Sequence, residues 1–163
     1  MEAEHRPEPL DAQRILEELT RHEVDYVLVG GLAAQTHGNT RMTNDVDVIP
    51  APDPENLARL ASALKALNAR VLNPGHESRE IDARMLPRAT IWQLATPHGD
   101  IDVLHDAPGA APYPELRERA LVVTLDEARV PVAGRDDLIR MKLAGGRAID
   151  RADVAALTDP KAE

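Results

Sequence analysis

Three aspartates on strand-like stretches carry the chemistry this sequence offers. Asp45 and Asp47 alternate with Val46, Val48 and Ile49, so an extended backbone turns both carboxylates to one face and aliphatic side chains to the other. Like charges two residues apart repel, and strands disfavour Asp, so the pair needs a compensating cation or solvent. A solvated strand end or a calcium-type loop can show the same Asp-x-Asp spacing. The interleaved aliphatics weigh against the calcium loop, which needs further oxygen donors and a glycine turn. Asp102 stands in the same hydrophobic-Asp-hydrophobic setting, within Asp100-Ile101-Asp102-Val103-Leu104. Placed beside the first acidic strand, it would supply a third carboxylate.

Upstream, the run Tyr26-Val27-Leu28-Val29 has strand composition and is broken by Gly30-Gly31 before Leu32-Ala33-Ala34 starts a helix. Without Cβ atoms the backbone can approach a ligand closely, and N–H groups at a helix start suit phosphate. A Gly-Gly pair alone is more often an ordinary turn. Followed within twenty residues by two carboxylates on one strand face, it gains weight as part of a site.

The elements that must position these residues read as an α+β arrangement: a small mixed β-sheet with helices packed on it, plus a helical segment at the C-terminal end. A helix over Leu10 to Glu23, with Asp11 as N-cap, puts Ile15, Leu16 and Leu19 on one face. After the glycine turn come a short helix from Leu32 to His37, a loop to Asn44 and the acidic strand, which Pro50, Pro52 and Pro54 end. Asp53-Pro54 opens a packing helix to Leu67, with Leu57, Leu60, Leu64 and Leu67 at helical spacing. Residues 68–88 have no period and read as a loop or poorly ordered helix, where His76 and Glu77 could touch a substrate. A hairpin follows, with Ala89 to Leu94 as one strand, Thr96-Pro97-His98-Gly99 as the turn and Asp100 to Leu104 as the other. Glu115 to Ala120 reads as a helical turn, and Leu121–Leu125 and Arg129–Val132 as short edge strands. Arg135-Asp136-Asp137 caps a helix closed by Gly145-Gly146, and Asp150 to Leu157 makes the last one. Residues 1–9 are expected to be a flexible leader, 10–157 one domain and 158–163 a tail.

Composition narrows the function. With 163 residues, 43% hydrophobic and 29% charged, the chain can bury a core without staples. It has no cysteine, so no disulfide framework, thiolate metal site or cysteine nucleophile is available. No apolar run reaches membrane-span length and the first residues lack a signal-peptide stretch, so a cytoplasmic location and no membrane partner are expected. The net charge of −9 disfavours a broad nucleic-acid surface. An aromatic content of 2%, without Phe, removes base-stacking platforms. The six histidines lack metal-ligand spacing; His37, His98 and His105 fall at loop or strand ends and suit turn roles.

Gly30-Gly31, then Thr43-Asn44-Asp45-Val46-Asp47, then Asp102 resembles the catalytic signature of the nucleotidyltransferase fold shared with DNA polymerase β. The segment Met141-Lys142-Leu143-Ala144-Gly145-Gly146-Arg147-Ala148-Ile149-Asp150-Arg151-Ala152-Asp153-Val154 is similar to the ending of minimal and AbiEii-type nucleotidyltransferases, many of them toxins of toxin–antitoxin pairs. The resemblance spans Leu10 to Leu157 and is vague between Asn68 and Arg88. It implies that Gly30, Gly31 and Thr43 lie at the nucleotide, that Asp45, Asp47 and Asp102 bind metal, and that Asp102 can act as base toward the attacking hydroxyl. By the same resemblance Arg41 and Lys142 meet phosphate, and Asp150 or Asp153 is a further acid. Many relatives have Gly-Ser where this chain has Gly30-Gly31, so no hydroxyl is offered to phosphate there.

The implied reaction is in-line displacement at the α-phosphate of an NTP, with Mg²⁺ or Mn²⁺ as cofactor. The acceptor would be a hydroxyl of RNA or tRNA, a protein or a small molecule, and a toxin member would have an antitoxin partner. Two alternatives use the same residues: a catalytically weak nucleotide-binding regulatory domain, and a module whose main role is binding its partner.

Overall fold

The structure is a computed structural model that describes residues 4–39, 42–125, 127–146 and 148–158, with the backbone alone described at 148–150, 152 and 153. Helix α1, Ala12–Arg21, is capped by Asp11, whose carboxylate accepts from Arg14 N–H at 3.2 Å. Its apolar stripe of Ile15, Leu16 and Leu19 is fully buried. Strand β1, Tyr26–Val29, is buried on both faces and leads straight into α2, Gly30–Thr36. The acidic strand β2 is Asp45–Pro50, and α3, Pro54–Ala66, starts where Asp53 accepts from Asn56 N–H at 3.0 Å.

Short strand β3, Arg70–Val71, then pairs with β4, Ile91–Thr96, and β4 forms the expected hairpin with β5, Gly99–Leu104. Helix α4 is Tyr113–Glu118; β6, Leu121–Leu125, and β7, Ala128–Val132, form a second hairpin. Two helices close the chain, α5 over Arg135–Gly145 and α6 over Ala148–Thr158. The strands make one mixed seven-stranded sheet in the order β3-β4-β5-β2-β1-β7-β6. The pairs β2/β5 and β1/β7 are parallel, the others antiparallel.

The fold class is the α+β arrangement expected, and two local readings change. Residues 68–88 are mostly loop and turn, as expected, but Ile81, Met85 and Leu86 anchor the segment in the core. Asp82 accepts from the N–H of Arg84 and Met85, and Trp92 Nε1–H donates to Leu86 O at 3.0 Å. Such pins between side chain and backbone leave no period in a sequence. Strand β7 is interior rather than an edge. Its far side meets β1 at the pair Leu28–Val132, and Ala133 N–H donates to Leu28 O at 2.9 Å. Helix α5 takes Gly134 as N-cap without a side-chain cap bond, and Asp137 is buried in an ion-pair network. The expected C-terminal stop holds, with Gly146 in the left-handed region at φ 68°.

Candidate active site

The site follows from two strand registers. In the parallel pair β2/β5, Asp45 lies opposite Asp100 and Asp47 opposite Asp102. Period-two alternation keeps Asp45, Asp47, Asp100 and Asp102 on one sheet face, while Val46, Val48, Ile101 and Val103 fill the core behind it. One carboxylate oxygen from each of Asp45, Asp47 and Asp102 lies within 4.8 Å of the others. Because β5 lies beside β2, the third acid joins the first two. Thr43 Oγ1 donates to Asp45 Oδ1 at 3.1 Å and fixes that carboxylate from the preceding loop.

Gly30 is required by this cluster. Its φ is +72°, and a Cβ built there would overlap the Asp47 carboxylate, reaching 2.7 Å from Cγ. The glycine therefore gives the acid its seat, as well as turning the chain from β1 into α2. Gly31 sits beside it, and both line a cleft of about 480 Å³ together with Thr43, Asp45, Asp47, Asp102 and Lys142. Lys142 projects from α5, which packs against α2.

The electrostatics of the cluster are those of a site built for positive charge. Asp47 is held well above the usual carboxylate range, first by burial and then by the charges of Asp45 and Asp102, with Lys142 pulling the other way. Asp102 is pushed up to about 6, again first by burial and then by Asp45. An all-carboxylate donor set this close together fits a hard divalent ion such as Mg²⁺ or Mn²⁺.

The remaining predicted residues fall as follows. Arg41 lies outside the described residues; Asp150 and Asp153 lie on α6, with side chains outside the described set. His76 packs edge-on to Trp92 at 5.8 Å between ring centroids, and His76 and Glu77 are not among the cleft's lining residues. His37 Nε2 bonds with Ala133 O at 2.9 Å, a loop-fixing contact. Ile91, Gln93, Leu104 and Met141 line the cleft without having been singled out. Gln93 was within reach of the sequence. Once the Thr96–Gly99 turn fixes the hairpin, antiparallel counting puts Gln93 directly opposite Asp102.

A glycine turn running into a helix thus stands beside a carboxylate cluster at the junction of β2 and β5. The sequence matches, over residues 10–158, the family described as nucleotidyltransferase of unknown function (DUF6036). The chain belongs to that family, and its class of chemistry is NTP-dependent nucleotidyl transfer. No curated protein matches it. Among solved structures it is similar to the lincosamide antibiotic adenylyltransferase LnuA in its lincomycin-bound form, with a TM-score of 0.61, 14% identity and coverage of 93% of this chain and 98% of that one. It is also similar to ANT(2″)-Ia in complex with adenylyl-2″-tobramycin, with a TM-score of 0.55, 16% identity and coverage of 92% and 89%. An antigenic nucleotidyltransferase-like protein from Paracoccidioides brasiliensis gives a TM-score of 0.55, 17% identity and coverage of 93% and 78%. Identities this low bear on the fold.

Proposed function

We propose that this protein is a divalent-cation-dependent nucleotidyltransferase that moves a nucleoside monophosphate from an NTP to a hydroxyl of a small molecule. The observation that carries the reading is the Asp45–Asp47–Asp102 cluster opening into the same cleft as Gly30, Gly31 and Lys142. Bound at the three carboxylates, Mg²⁺ or Mn²⁺ would neutralise phosphate charge and activate the acceptor hydroxyl. Gly30 and Gly31 allow the triphosphate close to the backbone, and Lys142 meets its charge from the α5 side. Asp102 is placed to take the proton of the attacking hydroxyl. Arg41 is proposed to assist at the phosphates, and Asp150 or Asp153 to add an acid from α6.

The net charge of −9 supports a small acceptor over RNA. Two similar structures were solved with small molecules, lincomycin in one and adenylyl-2″-tobramycin in the other. No helix among the described residues is long and apolar enough to cross a membrane.

The test is incubation of the purified protein with each NTP radiolabelled at the α-phosphate, Mg²⁺ or Mn²⁺, and separate pools of cell metabolites, RNA and protein, with the Asp45→Ala/Asp47→Ala double variant alongside. Label moved to a metabolite by wild type alone supports the proposal. Label on RNA or protein corrects the acceptor class. NTP binding without label in any pool favours a second reading, a catalytically weak nucleotide- or partner-binding domain. The likeness of Met141–Val154 to toxin-type endings supports that reading, in which an antitoxin would be the partner.

A further inference from the structure

The open sheet face changes character one row beyond the acids. Across β4, β5 and β2 the pairs run Ala95–Asp100–Asp45, then Gln93–Asp102–Asp47. The next row brings Ile91 opposite Leu104, with Ile49 two residues past Asp47 on β2 and so on the same face. Two residues along a strand is about 7 Å. An apolar shelf therefore starts about 7 Å from the carboxylates.

Ile91 and Leu104 are partly exposed and line the active-site cleft, and Ile49 lies buried at the inner end of the shelf. Leu104 and Ala107 line both the 480 Å³ cleft and a second cavity of about 210 Å³, which runs on past Ile49 to Tyr113. Its outer wall is the 105–112 loop, held on α5 where Gly109 lies: a Cβ there would come 2.6 Å from Arg140 O and 2.8 Å from Ala144 Cβ. Gly30 follows β1 and Lys142 comes from α5, whereas Gln93 comes from β4 on the opposite side of the acids. The charged residues lining the two cavities, among those described, are Asp45, Asp47, Asp102, Asp106 and Lys142, beside His105. Past the acids on the shelf side, the ionisable residues described are Asp106 and His105, while Lys142 lies on the α5 side.

We infer that the Ile91–Leu104–Ile49 row seats the body of the acceptor: a neutral or cationic small molecule with an aliphatic or aromatic group about 7 Å from the hydroxyl that reacts. Gln93 bonds the polar atoms next to that hydroxyl. The inference rests on the transferase reading and gives its acceptor a shape. In the transfer step the acceptor oxygen bonds to the α-phosphorus, the bond from that phosphorus to the bridging oxygen of the β-phosphate breaks, pyrophosphate leaves, and the hydroxyl proton passes to Asp102.

The test reads binding and needs no turnover. Protein with ¹³C-labelled Ile and Leu methyls, with Mg²⁺ present, is titrated with hexyl β-D-glucoside, methyl β-D-glucoside and a bulk tRNA preparation. The expected result is a shift of the Ile49, Ile91 and Leu104 methyls by the hexyl glucoside, binding roughly tenfold or more tighter than the methyl glucoside. Leu104→Gln should remove most of that preference. Gln93→Ala, at an exposed position, should weaken both glucosides and leave the preference between them. The remaining methyl signals report whether each variant is folded. Equal affinity for the two glucosides, shifts centred on the exposed Leu121 instead, or tRNA moving the shelf methyls would each overturn the inference. A protein that transfers label yet fails here keeps its transferase assignment and loses only this acceptor shape.

Discussion

Asp137 is buried and Asp47 is half-buried in the cleft, and the protein treats the two carboxylates in opposite ways. Asp137 is 2% exposed and sits in a cage of guanidinium groups. Arg119 donates to it through both Nε and Nη2, at 2.9 and 2.8 Å, and Arg140 adds a third bond at 2.9 Å. These arginines, Arg119 first, hold its carboxyl below the usual range. Asp47 instead faces Asp45 and Asp102, and is driven above that range. One acid is satisfied by two arginines of the chain, whereas the other stands among acids of like charge with Lys142 opposing them. The first fastens α5 to the end of α4; the second waits at the cleft that α5 lines.

Three changes would break or sharpen that contrast. The largest effect is expected from Asp47→Asn, which keeps the volume but removes a cation ligand. Transfer activity should fall by roughly 10²–10³-fold or more, on the scale of losing a key transition-state charge partner, while circular dichroism stays unchanged. An unaltered rate would return the acidic strand to a solvated feature. Asp137→Ala should act on the fold: it strips both arginines of their shared acceptor. Because those side chains are half exposed, a loss of about 1–3 kcal/mol in urea unfolding is expected, with nucleotide affinity weakened as α5 loosens. Lys142→Ala comes next, raising the NTP dissociation constant by about tenfold and leaving Mg²⁺ binding little changed. Calorimetry separates the two, and equal NTP affinity would return Lys142 to an ordinary helix charge.

What could be read in the sequence follows the same division. The acid cluster was legible because period two and a hairpin turn fix which side chains share a face, and Asp102 needed only strand adjacency to join. Gly30 was legible as a turn, but its contact with the Asp47 carboxylate was not, since no local pattern records which atom fills the missing Cβ's place. The Asp137 cage was misread as a cap because Arg119 lies eighteen positions away, beyond any helical spacing. That the loop over residues 81–86 buries Ile81, Met85 and Leu86 was not legible for a related reason. Their burial depends on Trp92 and on side chain-to-backbone bonds that follow no period.

The smallest predicted effect is also the one that tests both acids in a single curve. Asp137 has a lowered folded pKa, so its contribution is full above the ordinary carboxylate value near 3.8 and is lost as pH falls through the folded value. Asp102 has a raised one, about 6, so the folded state holds its proton more tightly than the unfolded chain does. That contribution is full below 3.8 and is lost as pH rises through about 6. Asp47 shifts in the same direction. Metal-free protein should therefore lose stability between about pH 4 and pH 7, on the order of 1 kcal/mol because the cleft is open to water. Mg²⁺ binds the deprotonated cluster, so adding it should flatten that decline, and Asp47→Asn should flatten it without the ion. A decline that neither the ion nor the substitution changes would mean that the three carboxylates do not sense one another, and the contrast with Asp137 would fail.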